Sequence, residues 1–145
     1  MSADPQFRVA FVCVRNAGRS QMATAFAERE RDRRGLDGAV AITTGGTHPA
    51  DRVHEGVVDA MDEAGVDLSD RAPRAVTTAE LESCDVVVTM GCSTLDLDAT
   101  IDVRDWALDD PEGEDHVRVR EIRNDIEARV DALFEEIEPR LRRSA

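Results

Sequence analysis

The sequence predicts an α/β fold, in which an open parallel sheet carries helices on both faces. The first observation behind this prediction is that short apolar runs alternate along the chain with longer segments of helical periodicity. The second is the run from Asp85 to Met90, because its consecutive β-branched side chains are typical of a central parallel strand buried on both faces. No repeat or linker interrupts the pattern, so we predict a single domain over residues 1–145.

Each element follows from a local signal. The first helix is expected to end near Arg34, because arginines there complement the helix dipole and Gly35 permits the turn that follows. Thr77 and Glu80 have the spacing of a capping pattern at the start of a short helix. Apolar runs predict the strands, at residues 9–13, 40–44, 85–90 and 101–108. Helical spacing predicts the helices, at residues 21–34, 54–64, 77–81 and 117–141.

Residues suited to chemistry follow three of the predicted strands. Cys13 comes after the first strand, Gly91 and Cys92 after the third, and Asp109 and Asp110 after the fourth. The carboxyl ends of parallel strands meet at one edge of a sheet, and sites form there at a switch in strand order. The sequence therefore predicts that these loops converge on one reactive site.

The segment after the first strand has the composition of an oxyanion-binding loop. A loop of its length can curl around one tetrahedral anion with its backbone N–H groups inward, while the following helix adds positive potential. The same potential favours the thiolate of Cys13, which is the nucleophilic form. Between Cys13 and Arg19 lie five residues, namely Val14, Arg15, Asn16, Ala17 and Gly18.

The polar residues of this loop have separate expected roles. Arg19 offers a planar fork that matches two oxygens of phosphate or arsenate. Ser20 is expected to cap the helix and donate its hydroxyl toward the Cys13 sulfur. Asn16 is expected to adopt a left-handed conformation and bond its own backbone, and Gly18 to let the chain close. The alternative is an ordinary buried cysteine, but strand, loop, serine and helix together favour the oxyanion loop.

Two more groups are candidates for chemistry. Cys92 is a candidate second thiol that attacks sulfur after Cys13 has reacted, and the alternative is a loop residue without a role. Asp110 is the candidate general acid, with Asp109 as its rival and turn chemistry as the alternative. Cys84 begins the strand that leads to Cys92, roughly 20 Å away at about 3.3 Å per residue, and is predicted to be structural.

The charge composition excludes some partners. With 31 acidic residues against 18 basic ones, the formal net charge is −13, which disfavours nucleic acid and anionic membranes. All basic residues are arginine, as is typical of a halophilic protein or of a GC-rich genome. The three cysteines indicate no disulfide framework, and the histidines have no metal-ligand spacing with them. We expect a monomeric cytoplasmic protein without a metal site.

Several motifs taken together resemble the low-molecular-weight protein tyrosine phosphatase superfamily, and its arsenate reductase branch in particular. They lie at residues 13–23, 46–54, 64–69, 87–92 and 106–111, with Gln21 where the tyrosine phosphatases usually have Pro. The resemblance implies a three-layer αβα sandwich with a four-stranded parallel sheet, and reduction of arsenate to arsenite. By position it implies Cys13 as nucleophile, the loop through Arg19 and Ser20 as oxyanion site, Cys92 as second redox thiol and Asp110 as acid.

The resemblance leaves the electron donor open. Thioredoxin-coupled members carry a third cysteine shortly after the second one, and residues 93–98 contain none. No bound cofactor is implied, and the donor is expected to be thioredoxin, a glutaredoxin-like protein or a low-molecular-weight thiol. The small oxyanion in the loop is expected to be arsenate, phosphate or sulfate. The alternative function is a phosphatase for phosphotyrosine or a small phosphoester, and a third is a non-catalytic anion-binding module.

Overall fold

A computed structural model describes residues 6–90 and 100–142 of the chain. Its sheet has four strands in the order β2-β1-β3-β4, and every neighbouring pair is parallel. The strands are β1 (Phe7–Cys13), β2 (Val40–Gly46), β3 (Val86–Thr89) and β4 (Asp102–Asp105). The helices are α1 (Arg19–Arg33), α2 (Glu55–Glu63), α3 (Thr78–Glu82) and α4 (His116–Arg142). The predicted α/β fold with a four-stranded parallel sheet is confirmed.

The central strand β1 is buried on both faces, which explains why its apolar run does not alternate. Val9 and Phe11 belong to the larger core, which β1 and β3 share with α1, α2 and α4. Ala10 and Val12 point to a smaller core that includes Leu81 of α3. The chain passes from β1 outward to β2 and then returns to the other side of β1. Cys13, the last residue of β1, therefore lies at the predicted switch in strand order.

Strand β2 is longer than predicted. It was predicted over residues 40–44, but Gly45 and Gly46 pair with Val12 and Cys13 as its last residues. These glycines serve close packing, because a Cβ at position 45 would lie 2.5 Å from the Cβ of Val76. The strand thus reaches the same edge of the sheet as Cys13.

The ends of the helices match their sequence signals closely. Arg34 is the C-cap of α1, and Gly35 follows with a φ of 68°. Arg34 also joins α1 to α4, since its guanidinium bonds Glu30, Asp131, Glu135 and Glu138 at 2.8–3.3 Å. The first residues of α3 form the predicted capping box between Thr77 and Glu80.

Among residues 6–90 and 100–142, no helix combines the length and the apolar character needed to span a membrane. The single domain, the monomeric state and the cytoplasmic location stay predictions.

Candidate active site

The thiol of Cys13 lies at the carboxyl end of β1 and contacts two hydrogen-bond donors. The backbone N–H of Asn16 donates to its Sγ at 3.1 Å, and the hydroxyl of Ser20 lies 2.9 Å from the same atom. Ser20 Oγ accepts from the Asn16 side-chain amide at 2.7 Å, which leaves the hydroxyl hydrogen available for the sulfur. Two hydrogen-bond partners therefore converge on this one sulfur and fix its position.

The backbone of the loop after Cys13 has its carbonyl groups turned outward. The carbonyls of Val14, Arg15 and Ala17 accept from the N–H groups of His48, Ala50 and His54, at 2.8–2.9 Å. Because a trans peptide holds its C=O and the next N–H on opposite sides, the N–H groups of Arg15, Asn16 and Gly18 point away from these partners, and that of Asn16 reaches the Cys13 sulfur. Within the described part of the chain, nothing accepts from the N–H groups of Arg15, Ala17 and Gly18. This arrangement matches the predicted cradle for an oxyanion.

Asn16 holds the loop in this shape. It is fully buried with a φ of 52°, so the predicted left-handed conformation is confirmed. Its side chain does not bond its own backbone as expected. The amide instead donates to Ser20 and to Thr44 Oγ1 at 2.9 Å, and its Oδ1 accepts from the backbone N–H of Arg74 at 3.0 Å and from Gln21. A buried amide with all these partners fixes the position of the loop.

One other expectation for the loop is wrong. Ser20 does not cap α1, because it is the second residue of the helix and the N-cap is Gly18, without a side-chain cap. Its hydroxyl has the other predicted partner, the Cys13 sulfur. Gly18 has a negative φ of −141°, so the position requires space rather than a special conformation. A Cβ there would lie 3.1 Å from Pro111 Cγ.

The sequence interpretation missed the residues that buttress the loop from other segments. Gly46 is one, since a Cβ there would lie 2.5 Å from the Val14 carbonyl oxygen. Thr44 and Arg74 are two more, through their bonds to Asn16. The paired glycines at the end of β2 were the available signal, because glycine within a strand often marks a close backbone approach. Nothing in the sequence marked Arg74.

The guanidinium of Arg19 is held in place by the ends of two strands. Its Nη1 donates to the carbonyls of Met90 at 2.6 Å and Leu108 at 2.8 Å, just beyond β3 and β4. Within the described residues, its Nε and Nη2 bond no other group. The planar fork therefore keeps one edge for an anion in the cleft that it lines with Cys13.

The candidate acid, Asp110, lines the same cleft as Cys13 and the loop that follows it. Asp110 is exposed, and its carboxylate accepts from the N–H of Glu112 at 3.0 Å. Pro111 is buried against Gly18. The loop that holds Asp110, here called the acid loop, therefore packs directly on the oxyanion loop, residues 14–18. The rival Asp109 is engaged elsewhere, in an ion pair with Arg118 of α4. The geometry favours Asp110 over Asp109 as the group facing the site.

An open cleft of about 950 Å³ brings most of the predicted residues together. Cys13 lines it although only 3% of the residue is exposed, as do Val14, Arg15, Ala17, Gly18, Arg19 and Asp110. Cys92 lies outside the described residues. Cys84 is buried in the smaller core, where burial raises the pKa of its thiol. In the described ranges, no group of three His, Cys, Asp or Glu side chains could hold a metal ion.

The site combines a thiol at the end of the central strand, a loop with free backbone N–H groups and an arginine at the end of that loop. These features are typical of the class of α/β proteins that bind an oxyanion next to a nucleophilic cysteine. The family model for low molecular weight phosphotyrosine protein phosphatase matches residues 8–143. The chain belongs to this family, so the resemblance inferred from its motifs is confirmed.

Several relatives within this family are arsenate reductases by name. The chain is 68% identical, over 96% of its length and 99% of the other, to a protein of Halobacterium salinarum that bears a provisional arsenate reductase name. It is 33% identical to the glutaredoxin arsenate reductase of Synechocystis, covering 90% of this chain and 98% of that one. The solved thioredoxin-dependent arsenate reductase of Corynebacterium glutamicum matches with a TM-score of 0.77 and 34% identity. That match covers 94% of this chain and 64% of the other, so the chain spans less than two thirds of that protein.

Proposed function

We propose that the protein reduces arsenate to arsenite, with Cys13 as nucleophile, Arg19 and the loop of residues 14–20 as oxyanion site, Asp110 as acid and Cys92 as second redox thiol. The observation that carries this proposal is the environment of the Cys13 sulfur. It has two hydrogen-bond partners, and the backbone N–H groups of the loop beside it donate to no described residue at Arg15, Ala17 and Gly18. Arsenate reductases among the relatives support this choice of oxyanion.

The first step is attack of the Cys13 thiolate on arsenic. A bond forms between sulfur and arsenic, and the bond from arsenic to one hydroxyl group breaks, so that this hydroxyl leaves as water with a proton from Asp110. The inward amides and the free edge of Arg19 hold the remaining oxygens. The Ser20 hydroxyl, which Asn16 orients, stabilises the sulfur before the attack.

The second step transfers the electrons. The thiolate of Cys92 attacks Cys13 Sγ, so an S–S bond forms and the S–As bond breaks. The electron pair of the broken bond goes to arsenic, which leaves as arsenite. A thiol donor then reduces the disulfide and restores the enzyme. The thioredoxin and glutaredoxin in the names of relatives support a thiol as the donor class. We place this activity in the cytoplasm, in a monomer that serves arsenical resistance in concentrated salt.

A second candidate function is hydrolysis of a phosphoester, which the family's phosphatase members favour. It would use Cys13, Arg19 and Asp110 in the same roles and would not need a second thiol. The two functions therefore differ in their requirement for Cys92.

Replacing Cys92 tests this difference directly. We expect Cys92→Ser to abolish arsenate reduction in the presence of a thiol donor, because the chain then has no second thiol placed to expel arsenite from Cys13. Hydrolysis of p-nitrophenyl phosphate by the same variant should stay within about twofold of wild type, since that reaction ends with water. Both rates are measured on the purified protein.

Two other cysteine variants complete the experiment. Cys13→Ser should remove both activities, whereas Cys84→Ser is the matched control, because Cys84 lies in the smaller core away from the cleft. An active Cys13→Ser protein would overturn the site assignment. Full arsenate reduction by Cys92→Ser would eliminate the role given to Cys92.

A further inference from the structure

Most of the arginines whose side chains the structure describes are engaged by carboxylates, and three of the four exceptions gather at one place. Of the sixteen arginines whose side chains the structure describes, twelve form an ion pair with Asp or Glu. Three of the other four, Arg15, Arg19 and Arg52, line the cleft that contains Cys13. With 31 acidic residues in the chain, unpaired guanidinium groups at one site indicate a place kept for an anionic ligand.

Arg15 and Arg52 differ from Arg19 in their position. The Arg19 guanidinium is anchored by two carbonyls, whereas Arg15 and Arg52 are exposed and bond no side chain in the described part of the chain. The segment with Arg52 is fastened to the loop by hydrogen bonds from Ala50 and His54 on either side of it. The two guanidinium groups therefore belong to the mouth of the cleft, outside the amides that hold the oxyanion.

The mouth also carries unpaired carboxylates. Asp51, Glu55 and Glu112 line the same cleft, and within the described ranges none of them forms an ion pair. A ligand with only negative charge would be attracted by the arginines and repelled by these groups. A small molecule with both carboxylate and ammonium groups matches both sets. The cleft, at about 950 Å³, is far larger than one tetrahedral anion needs.

We infer that the mouth of the cleft binds a small amino-acid-derived thiol, whose carboxylates pair with Arg15 and Arg52 and whose ammonium group faces the rim carboxylates. The inference rests on the proposed function and names the class of its electron donor. The thiolate of the bound donor attacks Cys13 Sγ in the disulfide with Cys92. A new S–S bond joins donor and Cys13, and the electron pair leaves with Cys92 as thiolate. A second donor molecule attacks the mixed disulfide, frees Cys13 and departs as the oxidised donor disulfide.

The test compares a charged donor with an uncharged one. Arsenite formation by the full chain is measured with glutathione and with 2-mercaptoethanol, and the ratio of the two kcat/KM values is recorded. We expect Arg52→Gln to lower this ratio about three- to tenfold, the range for exposed or partly buried charged hydrogen bonds. Arg140→Gln is the matched control, because it removes the same charge from an exposed position on α4.

A second measurement needs no arsenate, so it separates this inference from the proposed function. The reduced protein is mixed with glutathione disulfide or with 2-hydroxyethyl disulfide, and the mixed disulfide at Cys13 is followed by peptide mass. Arg52→Gln should slow the reaction with glutathione disulfide selectively. In either measurement, the subsite would be refuted if Arg52→Gln kept the wild-type ratio of the charged to the uncharged reagent. It would also be refuted if Arg140→Gln lowered that ratio as much as Arg52→Gln. Absence of arsenate reduction with every thiol would instead refute the proposed function.

Discussion

At Gly18, the lack of a side chain lets the acid loop rest on the oxyanion loop. An added Cβ would lie 3.1 Å from Pro111 Cγ and 3.6 Å from Val57 Cγ2, closer to the proline than side chains ordinarily approach. The neighbouring Asp110 would then shift by a few tenths of an ångström relative to the oxyanion loop. Gly18 is therefore a positioning residue for the proposed acid, although it makes no contact of its own with the anion.

We expect Gly18→Ala to lower the kcat of arsenate reduction roughly tenfold, a part of the 10²–10⁴-fold that general acid catalysis supplies. The acid is moved rather than removed, so part of its contribution should remain. The measurement is kcat with saturating arsenate. Gly38→Ala is the control, because a Cβ there meets no atom within 4 Å. Equal kcat values in the two variants would contradict the positioning role.

The residues of the loop show which parts of a site a sequence can reveal. Cys13, Arg19 and Ser20 are close in sequence, so their spacing alone predicted that they would meet, and the structure puts Ser20 2.9 Å from the sulfur. The partners of Asn16 come from residues 28 and 58 positions away, at Thr44 and Arg74. Such contacts depend on how segments pack, and local spacing carries no information about them.

At the scale of elements, one carboxylate of α2 carries most of the ion pairs that join this helix to α4. Glu63 accepts from Arg120 at 2.8 Å through two nitrogens, from His116 at 2.8 Å and from Arg123 at 3.3 Å. The hydrogen bonds from Arg120, and then the one from His116, hold the pKa of Glu63 well below its ordinary value of 4.5. As the pH falls, the Glu63 carboxylate takes up a proton in the unfolded chain before it does so in the folded protein. The contribution of Glu63 to stability therefore exists above about pH 4.5 and is lost as the pH falls below it.

Replacement of Glu63 should therefore matter in neutral solution and lose its effect in acid. We expect Glu63→Gln to lower the Tm by about 1–3 °C at pH 7, the size of an exposed ion-pair cluster. The difference from wild type should shrink between pH 5 and 3, as followed by thermal melting. Glu114→Gln is the control, since Glu114 is exposed and forms no ion pair among the described residues. A difference that stays constant with pH would refute the assignment.

The limits of the elements were largely predictable, because helix caps are local. Gly35 and the capping box at Thr77 fixed two of them. The longer β2 was not predictable, since its last residues pair with Cys13 only once β1 lies beside them. The same holds for residues 74–76, which bond Gly46 and line up beside the end of β2.

For the whole molecule, the sheet order explains why the site lies where it does. β1 is central and the chain turns to opposite sides of it, so the loop after Cys13 has β2 and β3 as neighbours. The carbonyls beyond β3 and β4 then anchor Arg19, and the residues after β4 supply the acid loop. The alternation of strands and helices predicted that the site lies at this edge of the sheet. The free arginines at the cleft mouth could be recognised only in the structure, which shows that most other arginines form ion pairs.

The central claim is that Cys13 attacks arsenate and is oxidised as a result. The most direct measurement is to incubate the reduced full chain with arsenate, quench with an alkylating agent and map the oxidised cysteines by mass spectrometry. The account predicts a disulfide between Cys13 and Cys92 after arsenate, none after an equal concentration of phosphate, and Cys84 reduced in both. A fully reduced Cys13 after prolonged exposure to arsenate would contradict it.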